Sequence, residues 1–161
     1  MFKNNPIKLI KYYNFINHNL IYNNKAINRY KKDNFEISED KTKNLDLLRT
    51  AILNQKNCDL KKQAKNIVFS DGNPKSKIML VGEAPGASED QEGLPFVGRA
   101  GMLLDKMLAA INLDRKKVYI SNIINYRPPE NRRPTDDEIE KYLPFIKKHI
   151  EIIEPKILVL L

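Results

Sequence analysis

Ile78-Met-Leu-Val-Gly-Glu-Ala-Pro-Gly-Ala-Ser-Glu-Asp-Gln-Glu-Gly-Leu-Pro-Phe-Val-Gly-Arg-Ala-Gly-Met-Leu103 is the stretch on which the reading of this chain turns. Ile78–Val81 is an apolar run with the length of a buried strand. Gly82 stops it. The segment behind it holds four of the chain's six glycines, together with Pro85 and Pro95. A helical pattern is predicted after Gly101. Glycine lets a backbone approach a ligand closely, and a loop that follows a parallel strand is where open α/β sheets place their ligand crevice.

The flanking sequence extends this pattern. Leu104, Met107, Leu108 and Ile111 have the spacing of a half-buried helix. Val118–Asn122 is a second predicted strand, running into the Pro- and Arg-rich loop Tyr126–Pro134. Thr135-Asp-Asp-Glu138 reads as a capping box. The helix behind it is expected to bury Ile139, Tyr142, Leu143, Ile146 and Ile150 and to end at Pro155. Ile157–Leu161 is a third predicted core strand. Upstream, Asn66–Ser70 reads as a strand, Asp71-Gly-Asn-Pro74 as a turn, and Asp46–Leu53 as a helix with Leu45, Leu48, Ala51 and Ile52 on one face. The order strand, loop, helix, strand, loop, helix, strand predicts two right-handed crossovers around a mostly parallel sheet, an α/β layered fold. Residues 43–161 are expected to form this domain. Residues 1–42, polar and rich in Lys and Asn with apolar residues between, are expected to form a basic helical extension.

A length of 161 residues with 42% hydrophobic content suits one domain with a real core. No apolar run reaches the length of a membrane span. The start lacks the layout of a signal peptide, so cytoplasm is the expected location. Cys58 is the single cysteine, which excludes an internal disulfide, and one thiol cannot hold a structural zinc or an iron–sulfur cluster. The net charge of +8 is uneven: residues 1–66 carry 14 Lys and Arg against 6 Asp and Glu, and residues 67–161 carry 14 of each. A basic excess suits a polyanion such as nucleic acid. The heavy use of Lys, Asn and Ile along the whole chain equally suits compositional bias and a solvated surface.

The glycine loop lacks the Gly-Lys-Ser/Thr of a phosphate loop, and Gly82 and Gly86 are too far apart for the dinucleotide fingerprint. Its acids, Glu83, Glu89, Asp90 and Glu92, argue against phosphate and for polar work on a neutral or cationic group, or they are solvated loop charges. Phe96 is either an anchor for the loop or a stacking surface for a flat ligand. Asn122, at the end of the second strand, either caps a loop or reads a base edge with its donor and acceptor. Arg127, Arg132 and Arg133 sit among prolines in a stiff loop suited to phosphate contact. His18 and His149 read as structural or surface residues.

Val81–Asp90 followed by Gly93–Asp105 closely resembles the first motif of family 4 uracil-DNA glycosylases. Tyr119-Ile-Ser-Asn-Ile-Ile-Asn-Tyr-Arg-Pro-Pro-Glu-Asn-Arg-Arg-Pro134 resembles the second. The resemblance runs from about Cys58 to Leu161. It implies a three-layer α/β/α sandwich and excision of uracil from DNA, with the target nucleotide flipped into a pocket. By resemblance, Gly82, Glu83 and Ala84 border the uracil and the attacking water, and Glu83 and Glu89 are the catalytic carboxylates, Glu89 holding the loop or the water. Phe96 stacks on uracil and Asn122 reads its edge. Arg127, Asn131, Arg132 and Arg133 lie near DNA. The implied partner is uracil-containing DNA, with no membrane, and the implied state is a monomer.

The chain departs from the family pattern in two places. Family members typically hold a 4Fe–4S iron–sulfur cluster on four cysteines. Here only Cys58 matches a ligand position, and Gln55, Tyr126 and Tyr142 stand at the others, so no cofactor, cluster or metal is expected. Tyr126 and Tyr142 are expected to pack in its place. The family also continues past this last strand into a further strand and a His-Pro loop, whose His stabilises the leaving uracil. The chain is therefore expected to be C-terminally shortened and a weak or inactive glycosylase. The alternatives are a non-catalytic DNA- or uracil-binding remnant and a nucleotide-binding α/β protein.

Overall fold

A computed structural model of the chain describes residues 40–55 and 58–161. The predicted extension falls, up to residue 39, outside the described residues. Helix α1 (Lys41–Leu53) starts five residues earlier than its apolar pattern suggests, because Asp40 caps it by accepting from the Thr42 amide at 2.9 Å. Leu45, Leu48 and Ile52 are buried as expected, while Ala51 is exposed. A single-turn helix, α2 (Asp59–Gln63), follows Cys58.

The sheet has four strands, β1 (Ser70–Gly72), β2 (Ile78–Gly82), β3 (Tyr119–Asn122) and β4 (Ile157–Leu160), in the order β1-β3-β2-β4. β2 pairs in parallel with both β3 and β4, and β1 runs antiparallel to β3. The predicted parallel core is present, with one antiparallel strand at an edge. That edge strand lies later than expected. Asn66–Phe69 makes no ladder, since Val68 is bonded instead to Asn125: its amide donates to the Asn125 carbonyl, and its carbonyl accepts from the Asn125 side chain. Asp71 and Gly72 belong to β1, and the turn is displaced to Asn73–Ser76, where the Asn73 carbonyl accepts from the Ser76 amide.

Helices cover both faces. Between β2 and β3 come α3 (Ala87–Glu92), α4 (Arg99–Ala110) and a 3-10 turn at Arg115–Lys117. After β3 come a second 3-10 turn, Pro129–Asn131, and the long helix α5 (Asp136–Ile153). On one face Leu104 and Leu108 of α4 pack with Leu80, Val118 and Ile120. On the other, α1 and α5 pack with Met79, Val81 and Tyr119. This is the expected three-layer α/β/α arrangement, and central β2 is apolar on both sides because both sides are covered.

Several burial expectations need correction. The stripe of α4 that reaches the sheet is Gly101, Leu104 and Leu108; Met107 lies roughly 90° around the helix from it, and is 57% exposed, as Ile111 is exposed beyond the helix end. On α5 the buried stripe is Tyr142, Ile146, His149 and Ile153, which leaves Leu143 39% exposed. β4, expected as a core strand, is exposed along its length, because its only strand neighbour among the described residues is β2.

Candidate functional site

Gly82 and Asn122 are direct neighbours in the β2–β3 ladder, at the C-terminal ends of both strands. The ladder continues past them through the Ile123 amide, which donates to the Gly82 carbonyl at 2.8 Å. A Cβ on Gly82 would lie 2.5 Å from Asn122 Oδ1 and 2.7 Å from Phe96 Cζ. Only glycine lets the amide and the ring come this close to the strand. Three of the residues singled out in the sequence therefore meet at one point. Asn122 is 2% exposed, and its Oδ1 has no hydrogen-bond partner among the described residues. A buried acceptor without a partner is costly, and a ligand that offers a donor at this point would relieve that cost.

Phe96 reaches this point through backbone of positive φ (54°), a conformation that costs a non-glycine residue on the order of 1 kcal/mol. Its surroundings compel it. A Cβ at Gly101 would lie 1.6 Å from the Phe96 carbonyl oxygen, so α4 and the loop interlock backbone to backbone. Glu89 holds the amides that follow: Oε1 accepts from Val97 (3.0 Å) and Gly98 (2.8 Å), and Oε2 accepts from Gly86 (3.1 Å). Both oxygens of Glu89 are thus occupied by backbone donors. Asp90, buried beside it, accepts from the Lys65 and Asn66 amides and ties α3 to the segment before β1.

The Arg-rich loop arrives next to the glycine loop. A cleft of about 150 Å³ lies between Glu83, Ala84 and Gly86 on one side and Asn131, Arg132 and Arg133 on the other. Phe96 and Asn122 do not line this cleft, so the site residues form two adjacent groups. Glu83 is exposed at its mouth; its carbonyl accepts from the Ile124 amide, and its carboxylate has no hydrogen-bond partner among the described residues. The arginines differ in state. Arg127 donates from Nε to Asn131 Oδ1 at 2.8 Å. Arg132 makes a two-pronged pair with Glu138 at 2.7 and 2.8 Å. That pair, helped by the Thr135 amide, holds the Glu138 carboxyl down at about 2. Arg133 is exposed and has no ion pair among the described residues. The loop's shape includes two successive residues of positive φ, Glu130 and Asn131.

Three of the four positions that the family resemblance assigns to cluster ligands, Cys58, Tyr126 and Tyr142, converge in the α1/α5 core. Cys58 Sγ and Tyr142 Oη are 3.0 Å apart, and Tyr126 is buried with them. Burial, and contact with Cys58, push the Tyr142 phenol far above its ordinary range, and burial raises that of Tyr126. Gln55 Oε1 and Tyr126 Oη are buried without partners. One thiol, two neutral phenols and an amide are not the thiolate set that an iron–sulfur cluster needs. The cluster does not fit these residues.

Two groups, one buried and one partly buried, had no sequence signal as part of a network. His149 stacks on Phe69 at 4.7 Å and shares a 2.7 Å hydrogen bond between its Nε2 and Tyr119 Oη. Burial lowers its pKa to about 3. Arg115 reaches back to the Phe96 loop from the charge run Asp114-Arg-Lys-Lys117.

Comparison with known proteins agrees with this geometry. Residues 69–161, which contain Gly82, Phe96, Asn122 and the Arg-rich loop, match the Uracil DNA glycosylase superfamily. The chain is 47% identical over 117 residues to a type-4 uracil-DNA glycosylase of Archaeoglobus fulgidus, covering 73% of this chain and 59% of that protein. It is 46% identical over 118 residues to one from Sulfurisphaera tokodaii (73% and 54%) and 45% identical over 119 residues to one from Saccharolobus solfataricus (73% and 55%). The chain thus spans somewhat more than half the length of these relatives. With the strand-end constellation and the matched segment coinciding, the chain belongs to the uracil DNA glycosylase superfamily.

Proposed function

We propose that this chain acts on uracil in DNA, hydrolysing the N-glycosidic bond of a flipped-out deoxyuridine to release uracil and leave an abasic site. The observation that carries this is the meeting of Gly82, Phe96 and the unpartnered Asn122 Oδ1 at the ends of β2 and β3. An aromatic face and a buried amide beside a bare backbone suit a flat base read along its edge. In the reaction the C1′–N1 bond breaks, its electron pair leaves with uracil, and water supplies the oxygen to C1′ and a proton to the base. Charge develops as positive on the sugar and negative on uracil, so preorganised groups do most of the work. Glu83 is the carboxylate open to the cleft, facing the attacking water and the sugar. Glu89, with both oxygens on backbone amides, shapes the loop. Arg127, Asn131, Arg132 and Arg133 border DNA phosphates. No iron–sulfur cluster takes part; the Cys58, Tyr126 and Tyr142 cluster stands in its position, and iron analysis showing about four irons per chain would refute this.

The test is single-turnover excision from end-labelled DNA containing one uracil, with cleavage at the abasic product as the readout. Asn122→Ala is expected to lower the rate by about ten- to a hundredfold, the usual loss for one base-edge contact worth about 1–3 kcal/mol. Equal rates for Asn122→Ala and the unaltered chain, or no abasic product from the unaltered chain, would defeat the proposal.

A further inference from the structure

Phe96 occupies a strained backbone conformation, and something must hold it there. The carbonyls on either side of its Cα are the exposed handles, and Arg115 takes both. Its Nη1 donates to the Pro95 carbonyl at 3.1 Å, and its Nη2 donates to the Phe96 carbonyl. The same guanidinium is fixed from behind: Nη1 lies 2.8 Å from Asp71 Oδ2 on β1, and Nε lies 2.8 Å from Asp105 Oδ1 on α4. A guanidinium has five donors in a rigid plane, and here four contacts from β1, α4 and the loop use that plane. Its side chain is 24% exposed, so water screens these contacts only in part. Glu89 holds the amides of Val97 and Gly98 from the other side. The Phe96 segment is therefore gripped through its carbonyls by a cation and through its following amides by an anion.

We propose that Arg115 is a positioning residue for base recognition: it sets the Phe96 ring against Gly82 and Asn122, and so governs affinity for the uracil ring without touching DNA. This rests on the uracil-site reading above. Lysine cannot replace the function, because a single ammonium point cannot bond two carbonyls and two carboxylates in one plane.

The test uses the full chain with two probes, free uracil and a duplex carrying a tetrahydrofuran abasic analogue, whose backbone is bound without a base. Arg115→Ala is expected to weaken uracil binding about tenfold, the size of one lost base–aromatic stack. It should also abolish the ring-current shift of the uracil H6 proton, while affinity for the abasic duplex stays within about twofold. Tyr142→Phe, which removes a buried contact with Cys58 in the core on the other side of the sheet, is the control: it is expected to lower Tm and leave uracil affinity unchanged. If Arg115→Ala fails to fold, Arg115→Lys supplies the same comparison and should show the same loss. Arg115 variants that lower Tm but keep the uracil affinity and the H6 shift would overturn the proposal and leave Arg115 purely structural. Absence of uracil binding by the unaltered chain would overturn the site reading itself and this inference with it.

Discussion

The carbonyl of Phe96 passes so near Gly101 that a single methyl group there has nowhere to go. The neighbour is backbone, not the end of a flexible side chain, so Gly101→Ala must push α4 away from the loop. We expect a loss of about 1–3 kcal/mol in unfolding free energy, as for other overpacked sites, measurable by urea denaturation. Restored stability in a Gly101→Ala protein with an undisturbed loop would show that the interlock is not as tight as described. A second residue-scale expectation concerns Tyr142. Tyr142→Phe removes the hydroxyl that meets Cys58 at 3.0 Å and should cost about 0.5–1.5 kcal/mol, the net worth of one buried hydrogen bond. At this scale the sequence was partly legible. Gly82, Phe96 and Asn122 stood out because glycine, an aromatic and an amide are unusual at the ends of apolar runs. Arg115 did not, since nothing in its charged neighbourhood marks a bond to a loop 19 residues earlier.

Helix α5 begins with the expected capping box: Thr135 Oγ1 accepts from the Glu138 amide, and Glu138 Oε2 accepts from the Thr135 amide at 2.8 Å. Glu138 also pairs with Arg132, so one carboxylate serves the helix cap and the Arg-rich loop together. Thr135→Ala should destabilise the chain by about 1 kcal/mol, read as a shift in thermal midpoint. Glu138→Gln should free Arg132 and strengthen binding to DNA at low salt, seen as a steeper dependence of log affinity on log salt. An unchanged salt slope would mean that Arg132 stays away from phosphate. Elements with clear periodicity, β2, β3, α4 and α5, were legible to within a few residues. α3 was not, because its six residues lie between Gly86 and Gly93 and carry three acids, which together read as loop. β1 was misplaced because Asp71-Gly72 has the local chemistry of a turn, and pairing with β3 overrides it. His149, read as structural or surface, is structural: it occupies the buried stripe of α5, where Tyr119 and Phe69 supply from other elements the partners that the sequence did not reveal.

For the molecule as a whole, His149 makes stability depend on pH. Its folded pKa, lowered to about 3 by burial, lies below the ordinary value of 6.5. Between these values the unfolded chain binds a proton that the folded chain refuses. The contribution is therefore complete above pH 6.5 and is lost as pH falls toward 3. At pH 4.5 it should have cost about 2–3 kcal/mol. The Glu138 carboxyl, held down at about 2, adds a further loss below its ordinary 4.5. Denaturation midpoints measured from pH 7.5 to 4 should decline from about 6.5 downward, and a His149→Gln chain should hold nearly level above pH 5. A parallel decline in both chains would assign the effect to other groups.

The Gly82–Asn122 pairing has a consequence in time as well as in space. Asn122 belongs to a ladder position, and the amide that closes that ladder, Ile123, is bonded to Gly82. Breaking that bond requires opening the sheet, whereas the Arg-rich loop at 127–134 is held mainly by side chains near the surface. In deuterated water the Ile123 amide should therefore exchange on the slow clock of global unfolding, while amides of Glu130 to Arg133 exchange orders of magnitude sooner. Under the proposed function, the group assigned to the base would keep still while the groups assigned to the strand move.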